Sequence, residues 1–412
     1  MGRIGTEKQN QALISALYCL AQMLYWSSGF ATVGYAAAYL GSIGFSNRAI
    51  GLITALAGLT GFALVLALSV WIDRAGDGAL TLGIGGVLVS QLLLIICLAA
   101  YRYAGFLPAL LYTLFLSLGH VMNSLFSKLY IDLKTRGMGI DFGLARGLGS
   151  LAFAGSSFSI GYLLAQRPGL YVHWLTLVFY VLLLLVTLSL RLLCRRLPGK
   201  PESVSAAKRR ETPLRIGPFL RDYRLFLVLV LGISLVSAAN KTFTTFLVNL
   251  VVELGGDIGA FTRITGFLAL IEIPVMLFFS RLRKRHSISA MLLMSLLLYA
   301  VKLGGAAAAR SLPVLFAAVT AQTFAAGLYH PASVEFIRET IPHRDTAKCQ
   351  ALLDGAPVFV SFLTITGFGT LLDSLPARTV CLLLFLLALL GTFLSQAVIR
   401  HTRPAPLSRD RF

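Results

Sequence analysis

The chain has 412 residues, of which 57% are hydrophobic and only 13% are charged. Its mean hydropathy of +0.80 is too apolar for a water-soluble protein of this length, so the composition excludes an ordinary soluble domain. The net charge of +19 invites a nucleic-acid role, but the positions of the basic residues favour another explanation.

Apolar stretches of about 20 residues recur along the chain, which is the length needed to cross the hydrocarbon core of a bilayer. A polar segment at 193–224 divides the chain into an N-terminal six-helix half (1–192) and a C-terminal six-helix half with a short tail (225–412). The first apolar stretch is too long for a cleaved signal sequence. We predict an all-α integral membrane protein with twelve transmembrane helices, at residues 12–40, 49–70, 79–100, 106–131, 143–165, 172–192, 225–252, 260–280, 288–308, 313–337, 347–372 and 377–398.

The basic residues follow the predicted topology. Most of the 36 Lys and Arg lie in the connections on one side of the membrane, including the segment 193–224, the cluster 281–285 and the C-terminal tail. This is the positive-inside pattern, which predicts that both termini are cytoplasmic. We therefore expect a multi-pass protein of the cell (inner or plasma) membrane. Its basic charge serves topology and contact with the lipid bilayer, not nucleic acid.

A few ionisable residues lie inside the predicted spans. A charged group at that depth is costly unless it faces a partner or a water-filled cavity, so such residues usually mark a polar functional site. They are Arg146, Lys241, Glu272, Lys302 and His330.

The connection between the second and third spans carries a recognisable motif. The segment SVWIDRAGDG, residues 69–78, resembles a signature of the major facilitator superfamily through Asp73, Arg74 and Gly76. The layout of six plus six spans is also that of this superfamily. The resemblance implies two six-helix halves that expose a site alternately to either side, with Asp73 and Arg74 in a conformational latch. A solvated turn is the alternative interpretation.

A second segment is more specific. DFGLARGLGSLAF, Asp141 to Phe153, resembles the start of helix 5 in the branch that contains lactose permease and other oligosaccharide/proton symporters. The resemblance implies that Arg146 binds the solute, that Phe153 takes the aromatic stacking position and that Gln322 occupies a site residue of helix 10. It also puts Lys128 at a solute-binding position of helix 4, but its place near the inner end of that helix favours a lysine that reaches or pairs at the membrane surface. The alternative for Arg146 is an arginine that reaches the membrane surface.

Glu272 lies near the middle of the eighth span, with Lys302 and Lys241 at comparable depths in neighbouring spans. Burial and a nearby ammonium act in opposite directions on a carboxyl group, so a glutamate that exchanges partners can load and release a proton. The alternative is a fixed ion pair between Glu272 and a lysine. His330 can titrate near neutral pH or serve as a neutral packing residue.

Other polar and aromatic residues are candidates for contact with the solute. Tyr25 and Trp26 offer ring faces with polar edges, which suit sugars and nucleosides. Asn123 and Asn240 offer amide groups for hydroxyls, although asparagine also joins membrane helices without a binding role.

These observations favour a proton-coupled importer of a small polar solute, first a sugar or oligosaccharide and then a nucleoside, which works as a monomer. The alternatives are a drug or metabolite exporter of the same fold and a solute sensor that does not transport. Glycines without proline in the fifth span mildly favour uptake. We expect no enzyme, cofactor or metal, because the five Cys are scattered and the common catalytic motifs are missing from the sequence.

Overall fold

The structure, a computed structural model, describes residues 2–76, 78–166, 172–194, 223–341 and 345–401. These residues form α-helices and one π-helical segment, and they contain no strand. The first seven helices are α1 (Gly2–Gly29), followed by a π-helical segment (Phe30–Gly34), α2 (Ala36–Ser42), α3 (Asn47–Ala75), α4 (Ala79–Leu98), α5 (Phe106–Thr135), α6 (Phe142–Gln166) and α7 (Val172–Cys194). The others are α8 (Arg224–Glu253), α9 (Ile258–Arg283), α10 (Ile288–Ala308), α11 (Leu312–Thr340), α12 (Thr346–Leu371) and α13 (Ala377–His401).

Helices account for nearly all of the described chain because a backbone in hydrocarbon must satisfy its own hydrogen bonds. Among the described residues, 10 helices are long and apolar enough to cross a membrane, namely α3 to α8 and α10 to α13. The series α1–π–α2 and α9 occupy the positions of the remaining two predicted spans. The predicted fold class, an all-α integral membrane protein, is therefore confirmed, and the helices fit the positions of the twelve predicted spans.

The chain forms two compact units, residues 1–45 with 56–213 and residues 46–55 with 214–412. In the first unit, α1 packs against α6 and α7, and α4 packs against α5 and α7. In the second unit, α8 packs against α12 and α13, while α10 packs against α11 and α13. Most of the predicted linker at 193–224 lies outside the described residues, as does the end of the C-terminal tail.

The second unit is held together by a close approach of two backbones. A Cβ added to Gly232 of α8 would lie 2.6 Å from the carbonyl oxygen of Gly391 on α13, and a Cβ on Gly391 would lie 2.5 Å from that of Gly232. Small residues at such crossings are how membrane helices gain close packing, because lipid supplies little hydrophobic driving force. The contact fixes α8 about two turns before Asn240.

The first predicted span is not one regular helix. Between α1 and α2 the backbone forms the π-helical segment Phe30–Gly34. A Cβ at Gly34 would lie 2.9 Å from the Phe30 ring, so this segment depends on glycine. Single π-helical turns often occur beside functional sites, and this one begins one helical turn after Trp26.

Candidate solute-binding and coupling sites

Arg146 lies in the second turn of α6, whose first turn is capped by Asp141: the Leu144 N–H donates to Asp141 Oδ1 at 3.0 Å. The guanidinium carbon of Arg146 is 3.9 Å from the centroid of the Trp26 ring on α1. Its Nη1 donates to Ser150 Oγ, one turn further along α6, at 3.0 Å. Two predicted site residues from different helices therefore stack on each other.

The stacking depends on Gly149. A Cβ at this position would lie 2.5 Å from Cδ1 of Trp26 and 3.2 Å from its Cγ. Atoms without a bond between them pack at about 3.5 to 4 Å, so any larger residue would displace the indole ring. The glycine lets α1 and α6 approach closely enough for the guanidinium to reach the ring.

A chain of hydrogen bonds on α1 holds the indole in place. Trp26 Nε1 donates to Gln22 Oε1 at 3.2 Å, Gln22 Nε2 donates to Tyr18 Oη at 2.9 Å, and Tyr18 Oη donates to the Phe126 carbonyl at 3.3 Å. Tyr18 and Gln22 are buried. Sequence analysis did not include these two among the site residues, although their i, i+4, i+8 spacing with Trp26 places all three on one helix face.

The other predicted residues of the first unit lie at different distances from this pair. Tyr25 contacts the Trp26 ring edge-on at 5.3 Å between centroids, and its hydroxyl donates to the Gly119 carbonyl on α5 at 3.2 Å. Phe153 packs against Phe30 at 5.5 Å, two turns beyond Arg146 on α6. Asn123 is exposed on α5 and makes no side-chain hydrogen bond within the described residues.

In the second unit, Lys302 of α10 is fully buried. Its Nζ lies 2.5 Å from Asn240 Oδ1 on α8 and 2.5 Å from Gln322 Oε1 on α11. It also lies 4.3 Å from the centroid of the Phe243 ring. The structure thus brings together three predicted site residues. Phe243, which was not predicted, lies beside the ammonium group, and the Cys381 thiol is within electrostatic range of it.

The remaining coupling candidates do not join this cluster. Lys241 is half-buried. Glu272 of α9 is half-buried as well, and its carboxylate interacts electrostatically with the Tyr299 hydroxyl on α10. Across the described ranges no ion pair is seen between Glu272 and either Lys241 or Lys302.

His330 has a neighbour that the sequence did not reveal. Its ring contacts Tyr329 at 5.2 Å between centroids, and it lies within electrostatic range of the Asp354 carboxylate on α12. Asp354 Oδ1 also accepts a hydrogen bond from Gln350 Nε2 at 3.1 Å. The spacing along the chain carries no signal for a contact between α11 and α12.

The motif at 69–78 links two helices of the first unit. Asp73 Oδ1 is 2.9 Å from Lys128 Nζ on α5, and the same Nζ donates to the Ser69 carbonyl at 3.4 Å. Arg74 is exposed at the end of α3. Asp73 therefore pairs with Lys128 and links α3 to α5, while Gly76 takes a left-handed turn with φ of 81°.

Within the ranges that the structure describes, no three His, Cys, Asp or Glu side chains converge as metal ligands would.

Membrane-spanning helices that shelter a few charged side chains occur in secondary transporters. The chain belongs to the MFS_1 like family, whose profile matches residues 17–372. The comparison with curated proteins gives no match.

Several solved structures share the fold. The nucleoside transporter NupG is 14% identical with a TM-score of 0.72, over 95% of this chain and 99% of that chain. A bacterial homologue of the iron transporter ferroportin, in an inward-facing state, is also 14% identical with a TM-score of 0.72, over 95% of this chain and 99% of that chain. A variant of the peptide transporter POT is 12% identical with a TM-score of 0.69, over 94% of this chain and 96% of that chain. At these identities the likeness shows the fold alone.

Proposed function

We propose that this protein imports a small polar solute together with protons, the solute being a sugar or oligosaccharide first and a nucleoside second. The observation that carries the proposal is the stacked pair of Arg146 and Trp26, with the guanidinium 3.9 Å from the ring centroid. The family and the fold support transport, and the stacked pair supports the kind of solute.

The chemistry of the pair suits a solute rich in oxygen. A guanidinium presents five N–H donors in a planar fork, and Ser150 takes one of them at 3.0 Å. An aromatic ring beside these donors offers an apolar face to a sugar or nucleoside ring. The buried chain of Tyr18 and Gln22 holds the ring in one orientation, which lowers the entropic cost of binding. Asn123, Tyr25 and Phe153 remain proposed contacts of the same unit.

For coupling, we propose Glu272 as the proton carrier. A half-buried carboxyl group binds or releases a proton when its distance from a cation changes. The cations proposed for this are Lys241, Lys302 and His330. The pair Asp73–Lys128 is proposed as a latch between α3 and α5, with Arg74 beside it, that opens and closes during alternating access.

The proposed setting is the cell membrane, with a monomer whose termini are both cytoplasmic. Within the family, the resemblance of residues 141–153 supports a place near the oligosaccharide/proton symporters. The fold shared with a nucleoside transporter is the reason to keep nucleosides in the first panel of solutes. Export of drugs or metabolites by the same fold is the second candidate, and a sensor without transport is the third.

The test is solute-induced proton uptake in de-energised cells that express the protein, across sugars, nucleosides and small carboxylates. We expect alkalinisation of the medium with one solute class, lost in both Arg146→Ala and Glu272→Gln. Arg310→Ala is the control, because Arg310 is exposed outside both sites. Absence of a proton signal with every solute, together with lower retention of a lipophilic dye, would overturn import in favour of export.

A further inference from the structure

Lys302 is a buried cation without a buried anion beside it. None of its side chain is accessible, and around its ammonium group lie two carboxamide oxygens and one aromatic ring, with the Cys381 thiol of α13 within electrostatic range. In the part of the chain that the structure describes, no carboxylate pairs with it. A buried charge normally has a counter-charge or a full set of hydrogen bonds. The positive charge of the Lys302 ammonium group therefore needs a compensating group.

The two amides have a definite orientation. An ammonium group only donates hydrogen bonds, so the oxygens of Asn240 and Gln322 face Lys302 and their NH2 groups face away from it. Neither NH2 group donates a hydrogen bond to another described residue, and both side chains are partly exposed whereas Lys302 is not. Four N–H donors on two helices are therefore left for a ligand.

The geometry points to an anionic oxygen as that ligand. We propose that the solute carries a carboxylate that accepts hydrogen bonds from the NH2 groups of Asn240 and Gln322, and that the solute class is the sugar acids. The inference rests on the proposed function, because it narrows the solute from polar sugars to their acids.

The orientation of the two amide dipoles favours an anionic ligand. Each amide turns its negative end towards Lys302 and its positive end towards the ligand position, so the protonated Lys302 polarises both donors. Hydrogen bonds to a charged acceptor are about twice as strong as neutral ones. Lys241, next to Asn240 on α8, adds a second positive charge to the same unit. Since Lys302 cannot touch the solute, it is a positioning residue.

The experiment compares acids with neutral sugars of the same skeleton. Uptake of glucuronate is measured beside glucose, and gluconate beside sorbitol, and the ratio of the two KM values is determined for each pair. We expect wild-type protein to have a KM for the acid at least about tenfold lower than for its neutral partner, which corresponds to about 1.4 kcal/mol.

Two variants test the role of the buried cluster. Lys302→Met removes the charge and keeps the length, and we expect it to abolish the preference for the acid. Gln322→Glu replaces the NH2 donor with a carboxylate that can pair with Lys302, and it should reverse the preference. Gln396→Glu is the control, because it adds the same charge to the same unit on α13, and no hydrogen bond joins Gln396 to Lys302 among the described residues. Thermal unfolding confirms that each variant is folded.

The outcomes separate this inference from the proposed function. Proton-coupled uptake of neutral sugars or nucleosides without preference for the acid overturns the inference and leaves the function intact. A preference that survives in folded Lys302→Met also overturns it, because the charge would then play no part. If no solute is taken up or bound by purified protein, both proposals fail together.

Discussion

The substitution Gly149→Ala tests the stacked pair without touching either of its members. The added Cβ would lie 2.5 Å from Trp26 Cδ1 and 3.3 Å from Nε1, so the ring must retreat by about 1 Å to reach normal contact. The hydrogen bond from Trp26 Nε1 to Gln22 is already 3.2 Å long and would break. The same movement would disturb the stacking of the Arg146 guanidinium at 3.9 Å.

The expected size of the effect follows from these contacts. The lost hydrogen bond is worth about 1 kcal/mol, and a partly desolvated cation–π contact is worth about 0.5 to 2 kcal/mol. If half of this sum supports the bound geometry, solute affinity falls by about four- to thirteen-fold. The free energy of unfolding should change little, because the higher helix propensity of alanine contributes about 1 kcal/mol and offsets the cost of moving the ring.

Tryptophan fluorescence provides the assay. With Trp71→Phe and Trp174→Phe, Trp26 is the last of the 3 tryptophans, and its emission reports on the ring directly. Gly149→Ala should shift this emission and weaken quenching by the solute. Gly155→Ala on the same helix is the matched control, because nothing lies within 4 Å of its Cβ. Unchanged emission and affinity in Gly149→Ala would refute the reasoning.

Three further predictions concern coupling, the latch and packing. Glu272→Gln should abolish solute-driven proton uptake but retain exchange of labelled for unlabelled solute. Loss of exchange as well would contradict the proposal that Glu272 carries the proton and does not bind the solute. Asp73→Asn breaks the 2.9 Å pair with Lys128. Because both groups are partly exposed, the free energy of unfolding should change by less than about 1 kcal/mol. The transport rate should fall at constant affinity, and it should recover in the double variant in which the charges of Asp73 and Lys128 are exchanged. Gly391→Ala should lower the temperature of unfolding by several degrees, since overpacking costs about 1 to 3 kcal/mol. Gly367→Ala is the control, because Gly367 has open space around it, and its temperature of unfolding should not change. Equal temperatures of unfolding for Gly391→Ala and Gly367→Ala would argue against the close contact between α8 and α13.

Hydropathy predicted the helices well because lipid leaves the backbone few alternatives. The fifth span, predicted at 143–165, is Phe142–Gln166, and the eleventh, predicted at 347–372, is Thr346–Leu371. The first span is the exception. Its helix already begins at Gly2, and it is interrupted by the π-helical segment. A hydrophobic average does not distinguish π-helical from α-helical hydrogen bonding, so this feature could not be predicted.

Individual site residues were predictable from the sequence, but the contacts between their side chains were not. Arg146 followed from a motif and Trp26 from the aromatic character of the first span, yet their contact depends on a glycine on one helix meeting a ring on another. Lys302 was recognisable as an isolated charge, but its amide partners lie 62 and 20 residues away along the chain. Contacts between helices depend on packing, and one sequence does not encode packing in any local pattern.

The charge on the proposed solute sets the net charge that crosses the membrane in each transport cycle. One proton carried by Glu272 together with one monovalent sugar acid moves no net charge, whereas the same proton with a neutral sugar moves one positive charge. One charge across 100 mV corresponds to about 2.3 kcal/mol, or roughly 50-fold in accumulation. In proteoliposomes with a potassium diffusion potential, uptake of glucuronate should therefore follow the pH gradient and be indifferent to voltage, while any residual uptake of glucose should respond to voltage. Voltage-driven uptake of the acid would mean that more than one proton accompanies it, and that Glu272 is not the sole carrier.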